Sequence, residues 1–326
     1  MKRVLKVLVV LMLLGFVGFS LTAWWFLHWD KIEAPDLPGV VQEGSLQHEG
    51  RQRSWISYVP RSLADKPALV LIMHGSLGSS EDMRKQSFYS FDVAAERGGF
   101  IAVYPQGYDK HWNDCRGSAT YMANRLNVDD VGFLSALVDE MKAKYAVDPG
   151  RVFATGFSNG GHMAYRLGLE TPELVRGIAA IAANIPETGN LDCEPSSQSV
   201  ATLIINGTAD PINPYEGGLV EILGDVSRGS VYSAQESAGY WAELAGHSGE
   251  GEQNSWPDKV LDDDTTISSS TWSAPGRQTV QLVTVHGGGH NLPHPVFSLP
   301  RISGATSHEF DGADFIWQFF DQLDAY

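Results

Sequence analysis

The chain has few cysteines and few basic residues, and both shortages exclude classes of protein. Its 326 residues include two cysteines, too few for a disulfide-rich scaffold and without the paired spacing of a zinc finger. Lysine and arginine number 23 against 39 aspartate and glutamate residues, which leaves a net charge of −16. A protein that binds a phosphate backbone needs a basic face, so this deficit argues against nucleic acid as a partner.

The remaining composition is that of a globular domain. Hydrophobic residues make up 43%, aromatic residues 10% and charged residues 19% of the chain, unlike a disordered, collagenous or coiled-coil sequence. A core of about 300 residues buries roughly three quarters of the surface of its unfolded chain. Residues 51–326 are therefore long enough to form one large domain.

The N-terminus carries a long apolar stretch. Three basic residues precede residues 7–29, which contain no Asp, Glu, Lys or Arg. As a helix this stretch would measure about 34 Å, enough for a hydrocarbon core about 30 Å thick. It predicts a membrane anchor with the body outside the cytoplasm, periplasmic or secreted. A cleaved signal peptide over residues 1–29 is the alternative, and under either interpretation Cys115 and Cys193 could pair.

Beyond this segment the chain alternates short apolar runs with helical patterns. Residues 30–50 are polar and contain proline and glycine, which is typical of a tether, and residues 246–278 resemble a surface excursion. The alternation indicates an α/β fold with a doubly wound, mostly parallel sheet and helices on both faces. The predicted strands are Ser54–Val59, Ala68–Met73, Phe100–Tyr104, Val152–Thr155, Gly177–Ala183, Thr202–Ile205 and Val280–Val285. The predicted helices are Asp129–Tyr145, Asn159–Glu170, Ala234–Leu244 and Asp314–Leu323.

One motif carries the chemistry. Residues 152–167 read VFATGFSNGGHMAYRL, an apolar strand, a Gly-x-Ser-x-Gly turn and a helical pattern. The pentapeptide is weak by itself, but the strand–turn–helix context is that of a serine nucleophile on a sharp turn. Since a hydroxyl is a poor nucleophile at neutral pH, Ser158 needs an adjacent base.

The expected partners follow in the order Asp, His, and each comes where a predicted strand ends. Asp210 lies just past Thr202–Ile205, and His290 lies in the loop HGGGH that follows Val280–Val285. We predict that Ser158 attacks, that His290 transfers the proton and that Asp210 holds the imidazole tautomer. The backbone N–H groups of Ser76 and Asn159 are the predicted oxyanion donors, with Leu77 in place of Ser76 as the fallback.

No metal and no other cofactor is predicted. The pair His286 and His290 has a spacing of four, which would bring the two rings together on a helix, but three consecutive glycines separate them. The run Asp262–Asp264 lacks the glycine and the terminal glutamate of a calcium-binding loop, so we interpret it as a solvated turn.

Four blocks resemble the extracellular polyhydroxybutyrate depolymerase and feruloyl esterase branch of the α/β-hydrolases. They are LIMHGSLGSSEDM, VDDVGFLSALVDEM, VDPGRVFATGFSNGGHMAYRL and NGTADPINPYEGG, and HGGGHNLP resembles the glycine-rich histidine loop of that family. The resemblance implies an eight-stranded hydrolase sheet without a cofactor and supports the assignments of Ser158, Asp210 and His290. It also implies that Cys115 pairs with Cys193. The chain has Leu292-Pro293 where relatives usually have Trp-Pro.

The function predicted from these observations is an exported serine carboxylesterase. We expect a soluble substrate, either hydroxyalkanoate oligomers or feruloyl and acetyl esters, because depolymerases of solid polyester usually carry a further binding domain. Trp112 and Tyr215 could line the cleft, although each could equally be core, and Trp241 is a weaker candidate. A serine peptidase with the same triad and a catalytically silent binding protein are the alternatives. The oligomeric state is not readable from the sequence.

Overall fold

The computed structural model describes residues 2–30 and 32–323, without the side chains at positions 2, 4, 5 and 7–10. Its strands are β1 (Val40–His48), β2 (Arg51–Val59), β3 (Leu69–Met73), β4 (Ile101–Pro105), β5 (Val152–Phe157), β6 (Gly177–Ile181), β7 (Ala201–Gly207), β8 (Gly218–Leu219), β9 (Ser230–Val231), β10 (Glu252–Ser255), β11 (Thr266–Trp272) and β12 (Val280–His286). Ten of them form one sheet in the order β1-β2-β4-β3-β5-β6-β7-β12-β11-β10, and β8 pairs with β9.

The centre of this sheet is parallel. The six neighbouring strands from β4 to β12 all run in the same direction. Every position of β3, β6 and β7 is buried, as expected for strands that are covered on both faces. Antiparallel pairs complete the two edges, β1 with β2 on one side and β10 with β11 on the other. The predicted mostly parallel sheet is therefore confirmed.

The helices are α1 (Lys2–Leu27), α2 (Ser80–Gln86), α3 (Ser90–Gly98), α4 (Met122–Arg125), α5 (Asp130–Tyr145), α6 (Asn159–Glu170), α7 (Ala234–Leu244) and α8 (Gly312–Asp321). Two apolar clusters cover the two faces of the sheet. Leu69 and Leu71 of β3 belong to the cluster with α5, α6 and α7, whereas Val70 and Ile72 belong to the cluster with α2, α3 and α8. The alternation along one strand thus places helices on both faces, as predicted.

The two edges of the sheet differ from the sequence prediction. Residues 40–48 form β1 and not a tether, because the hairpin turn at Glu49 and Gly50, both with positive φ, folds them back onto β2. Within 246–278, β10 and β11 extend the opposite edge. Edge strands face solvent along much of their length, so they lack the apolar runs of the central strands. The sheet consequently has ten strands where eight were expected.

The N-terminal helix and Asp30, just after it, contact the loop at residues 298–301. The Arg301 guanidinium lies 4.1 Å from the Trp25 ring, and the Ser298 N–H donates to the Asp30 carboxylate over 2.8 Å. Among the residues that the structure describes, no helix combines the length and the apolar character needed to cross a membrane. The membrane anchor predicted for residues 7–29 is therefore not supported, and the side chains at 7–10 lie outside the described part.

Candidate active site

The turn between β5 and α6 holds Ser158 in a conformation that few residues adopt. Ser158 has φ 54° and ψ −116°, outside the regions that are favourable for residues with a Cβ. A Cβ on Gly156 would lie 2.2 Å from the Gly160 carbonyl oxygen, and one on Gly160 would lie 2.2 Å from that of Met73. Glycine is therefore required at both positions.

An Asp–His pair lies at the same edge of the sheet. Asp210 follows β7 and His290 follows β12, and their Oδ2 and Nδ1 atoms are 2.7 Å apart. The side chains are only 1% and 6% exposed, respectively. Asp210 Oδ1 accepts the N–H groups of Ile212 and Asn213, each over 2.8 Å. One carboxylate oxygen is thus held by its own loop while the other faces the imidazole.

Close backbone contacts position the loop that carries His290. A Cβ on Gly207 would lie 2.2 Å from the Gly288 carbonyl oxygen, so the loops after β7 and β12 touch. The His290 N–H donates to the Ser303 carbonyl over 2.6 Å. The His290 ring lies 4.8 Å, centroid to centroid, from the ring of Phe157, the residue before Ser158. The Asp210–His290 pair therefore lies beside the turn that carries Ser158.

The loop after β3 lies beside the serine. A Cβ built on Gly75 would be 3.5 Å from the Ser158 Cβ. The Leu77 N–H donates to the Lys110 carbonyl over 2.9 Å, and among the described residues no backbone carbonyl accepts the Ser76 N–H. Asn159 is the first residue of α6, where an N–H has no partner within the helix. The geometry favours Ser76 and Asn159 as the donors over the fallback Leu77.

The aromatic residues considered for the cleft wall are in the core. Trp112 has no exposed surface, and its indole N–H donates to the His74 carbonyl over 2.9 Å. Tyr215 is 9% exposed, and its hydroxyl bonds the Thr284 hydroxyl over 2.7 Å. Trp241 is fully buried and stacks on Tyr165. Trp112 and Tyr215 are therefore packed in the core with their polar atoms bonded to the protein, and a substrate-binding role for either stays a prediction.

A buried polar network behind Ser158 was not predicted. Asp114 accepts hydrogen bonds from the Arg116 guanidinium, the Tyr121 hydroxyl and the Asn159 side-chain amide, the shortest over 2.5 Å. Burial acts to raise the pKa of Asp114, but the Arg116 charge and these donors outweigh it and hold the pKa below its usual range. No pattern of periodicity points to this cluster, since Asp114, Arg116 and Tyr121 lie in loops.

Cys115 and Cys193 form a disulfide, with their Cα atoms 5.0 Å apart. The bond joins the loop that contains Asp114 to the segment after β6, 78 residues further along the chain. The pairing implied by the resemblance is therefore present. Disulfides are typical of proteins that fold in an oxidising compartment.

Two buried histidines near the serine are held neutral. Burial lowers the pKa of His74 to about 4, and its Nε2 atom accepts the Gly107 N–H over 3.0 Å. Burial, together with the Arg116 charge, lowers the pKa of His162 well below its ordinary value. Burial thus keeps both rings uncharged, and the hydrogen bonds of His74 agree with the structural role expected for that residue.

Three side chains of the kinds that bind metal ions lie close together near the turn between β1 and β2. Atoms of His48, Glu49 and Asp129 lie within 4.8 Å of one another. The His48 Nε2 atom bonds Asp129 over 2.9 Å, and the other Asp129 oxygen accepts the Gly132 N–H at the start of α5. Asp129 is thus engaged in capping the helix and in bonding His48. His286 is exposed at the end of β12 and bonds the Ser268 hydroxyl.

The sheet, the serine on its strand–turn–helix and the Asp–His pair beside it define an α/β-hydrolase. The phospholipase/carboxylesterase family matches residues 61–220. The putative esterase NocK of Nocardia uniformis subsp. tsuyamanensis is 30% identical over 262 residues, which are 78% of this chain and 74% of that protein. The chain therefore belongs to the feruloyl esterase-like α/β-hydrolases and is a carboxylic ester hydrolase.

More distant relatives agree with this membership. The probable feruloyl esterase C of Aspergillus niger is 28% identical over 134 residues, 41% of this chain and 44% of that protein. The match thus spans less than half of that relative's length. The acetyl xylan esterase from Aspergillus awamori superposes with a TM-score of 0.53 at 18% identity, covering 82% of this chain and 95% of that one. This last likeness shows the fold alone.

Proposed function

We propose that the chain is an exported serine carboxylesterase that works through Ser158, His290 and Asp210. The observation that carries the proposal is the 2.7 Å contact between His290 Nδ1 and Asp210 Oδ2, beside the strained turn of Ser158. A carboxylate at Nδ1 keeps the proton there and leaves Nε2 free to accept one. The same carboxylate stabilises the imidazolium that forms during the reaction.

The proposed reaction has two halves. Ser158 Oγ attacks the acyl carbon, its proton passes to His290 Nε2, and the tetrahedral oxygen receives the N–H groups of Ser76 and Asn159. The C–O bond of the ester then breaks as His290 returns the proton to the leaving alcohol. Water attacks the acyl-enzyme with the same base, and the acid is released. Donors held in place before the reaction stabilise the developing charge without reorganisation.

A small apolar pocket beside the turn suggests a short acyl group. Met83, Phe157, Leu292 and Leu299 are among its lining residues. Its volume is about 10 Å³, close to the smallest that holds one water molecule. Leu292 lies two residues after His290, and Phe157 contacts the His290 ring. We propose that acetyl esters react faster than feruloyl esters or hydroxybutyrate oligomers.

Active-site labelling combined with a substrate panel tests this function. A fluorophosphonate is expected to modify Ser158 alone, as read by peptide mass spectrometry, and to stop turnover. The panel compares acetylated xylan, p-nitrophenyl acetate, a feruloyl ester, hydroxybutyrate oligomers and a matched amide. Labelling of another residue, or turnover that survives labelling, would overturn the nucleophile. A faster amide would indicate a peptidase, and labelling without turnover on any ester would indicate a silent binding protein.

Export is the second part of the proposal. It is supported by the Cys115–Cys193 disulfide and by the basic residues that precede the apolar stretch 7–29. We expect cells that produce the full chain to hold the esterase outside the cytoplasm, with no titratable thiol in the unreduced, unfolded protein. A chain that begins at residue 32 is the matched control and should stay in the cytoplasm. Cytoplasmic full-length protein with two free thiols would contradict export.

A further inference from the structure

One buried residue touches both segments that carry the proposed oxyanion donors. The Trp112 indole N–H donates to the His74 carbonyl over 2.9 Å, two residues before Ser76. The Trp112 main-chain N–H donates to the Asn159 side-chain oxygen over 2.8 Å, and its carbonyl accepts the Asn159 amide over 3.1 Å. Trp112 is therefore bonded to the loop after β3 through its ring and to the start of α6 through its backbone.

The surroundings of Trp112 hold it in one position. The N–H of Asn113, the next residue, donates to the buried Asp130 carboxylate over 2.7 Å. Asp114 and Arg116 form a fully buried ion pair, with Nη2 and Oδ2 2.6 Å apart. Cys115 between them is tied to Cys193. A residue anchored on this many sides can set the spacing of the two segments that it joins.

We infer that Trp112 is a positioning residue for the oxyanion site, and that it holds the Ser76 and Asn159 N–H groups at the separation that the tetrahedral oxygen needs. The inference rests on the proposed function. Trp112 does not contact the substrate in this assignment, because it has no exposed surface. Its effect passes through the His74 carbonyl on one side and the Asn159 side chain on the other.

Loss of the indole bond is expected to reduce the rate and not the binding of substrate. Oxyanion donors act on charge that develops only in the tetrahedral state. A displacement of about 1 Å at a catalytic group can lower the rate by about 100-fold. Without the indole bond, we expect the loop after β3 to move by less than about 1 Å. We therefore expect kcat to fall by about tenfold while KM stays within about twofold.

The test removes the indole N–H of Trp112 while keeping an aromatic ring at that position. Trp112→Phe is compared with Trp272→Phe, since Trp272 is also buried and also donates its indole N–H to a backbone carbonyl, that of Gly249, over 2.9 Å. Trp272 lies on β11, near the far edge of the sheet. We expect the tenfold fall in kcat for p-nitrophenyl acetate in Trp112→Phe alone, with a matching fall in affinity for a trifluoromethyl ketone. That compound adds a serine hydroxyl and places a negative oxygen in the oxyanion site.

A second variant keeps the inference testable if Trp112→Phe does not fold. Asn159→Ala retains the backbone N–H but removes both side-chain bonds to Trp112, together with the bond to Asp114. We expect kcat and ketone affinity to fall by the same factor as each other. Folded variants with kcat and ketone affinity equal to those of Trp272→Phe would overturn the positioning role. Turnover that survives in Ser158→Ala would overturn the proposed function itself, so the two failures are distinguishable.

Discussion

Replacement of Ser158 with alanine is expected to lower kcat for ester hydrolysis on the order of 10⁶-fold. Alanine removes the only atom that would bond the acyl group, and His290 would then have no hydroxyl to activate. The fold should persist, because the Ser158 N–H bond to the Ile181 carbonyl is made by the backbone. Alanine has the same Cβ as serine, so the positive φ of 54° strains it no more than it strains serine. Hydrolysis of p-nitrophenyl acetate and the circular dichroism spectrum would be measured together.

Ser233→Ala provides a matched control. Ser233 also precedes a helix, α7, and its hydroxyl accepts the Glu236 N–H in a capping box. Its loss should cost about 1 kcal/mol of stability and leave kcat unchanged. Ser158→Ala activity within tenfold of the wild type, in protein purified free of the parent enzyme, would refute the assignment of the nucleophile.

Asp210→Asn is expected to lower kcat about 10⁴-fold with little structural change. The reason lies in the other oxygen of the carboxylate. Oδ1 accepts the N–H groups of Ile212 and Asn213, so an asparagine would keep its carbonyl oxygen there and turn its NH₂ toward His290. The His290 Nδ1 atom would then have to accept, its proton would move to Nε2, and Nε2 could no longer take the Ser158 proton.

Asp129→Asn is the control for this substitution. Asp129 has the same arrangement outside the site, with Oδ1 on the Gly132 N–H at the start of α5 and Oδ2 on a histidine, His48, 2.9 Å away. Steady-state kinetics should be unaffected in Asp129→Asn, with a modest loss in thermal stability. A loss in Asp210→Asn no greater than in Asp129→Asn would remove Asp210 from the proton relay.

The positions of Ser158, Asp210 and His290 could be predicted because each depends on a local pattern. Each follows a strand whose residues are mostly apolar, and the carboxyl ends of parallel strands meet at one edge of a sheet. The glycines around Ser158 and before His290 mark places where backbone approaches backbone, at distances that a Cβ would not permit. Patterns of this kind are visible in a few consecutive residues.

The edge strands and the aromatic residues could not be predicted in this way. β1 is polar because it is exposed for much of its length, so its composition resembles that of a linker. Trp112 is an aromatic residue of the kind that can line a cleft, yet it is completely buried. Nothing within the sequence around Trp112 indicates that His74, 38 residues away, receives its indole N–H.

The sequence by itself determined the central parallel sheet, the helices on its two faces and the strand ends at which the serine, the aspartate and the histidine lie. These features follow from the periodicity of apolar residues and from the conformational freedom of glycine, both of which act within a few residues of chain. Only the tertiary structure decided which residues surround the site. The bonds of Trp112 to His74 and Asn159, and that of Asn159 to Asp114, join segments 38 to 47 residues apart in sequence, and such contacts depend on how loops pack against the sheet. The ten-stranded extent of the sheet comes from pairings between strands that follow one another in the chain, but the edge strands carry too few apolar residues for the pattern to show them.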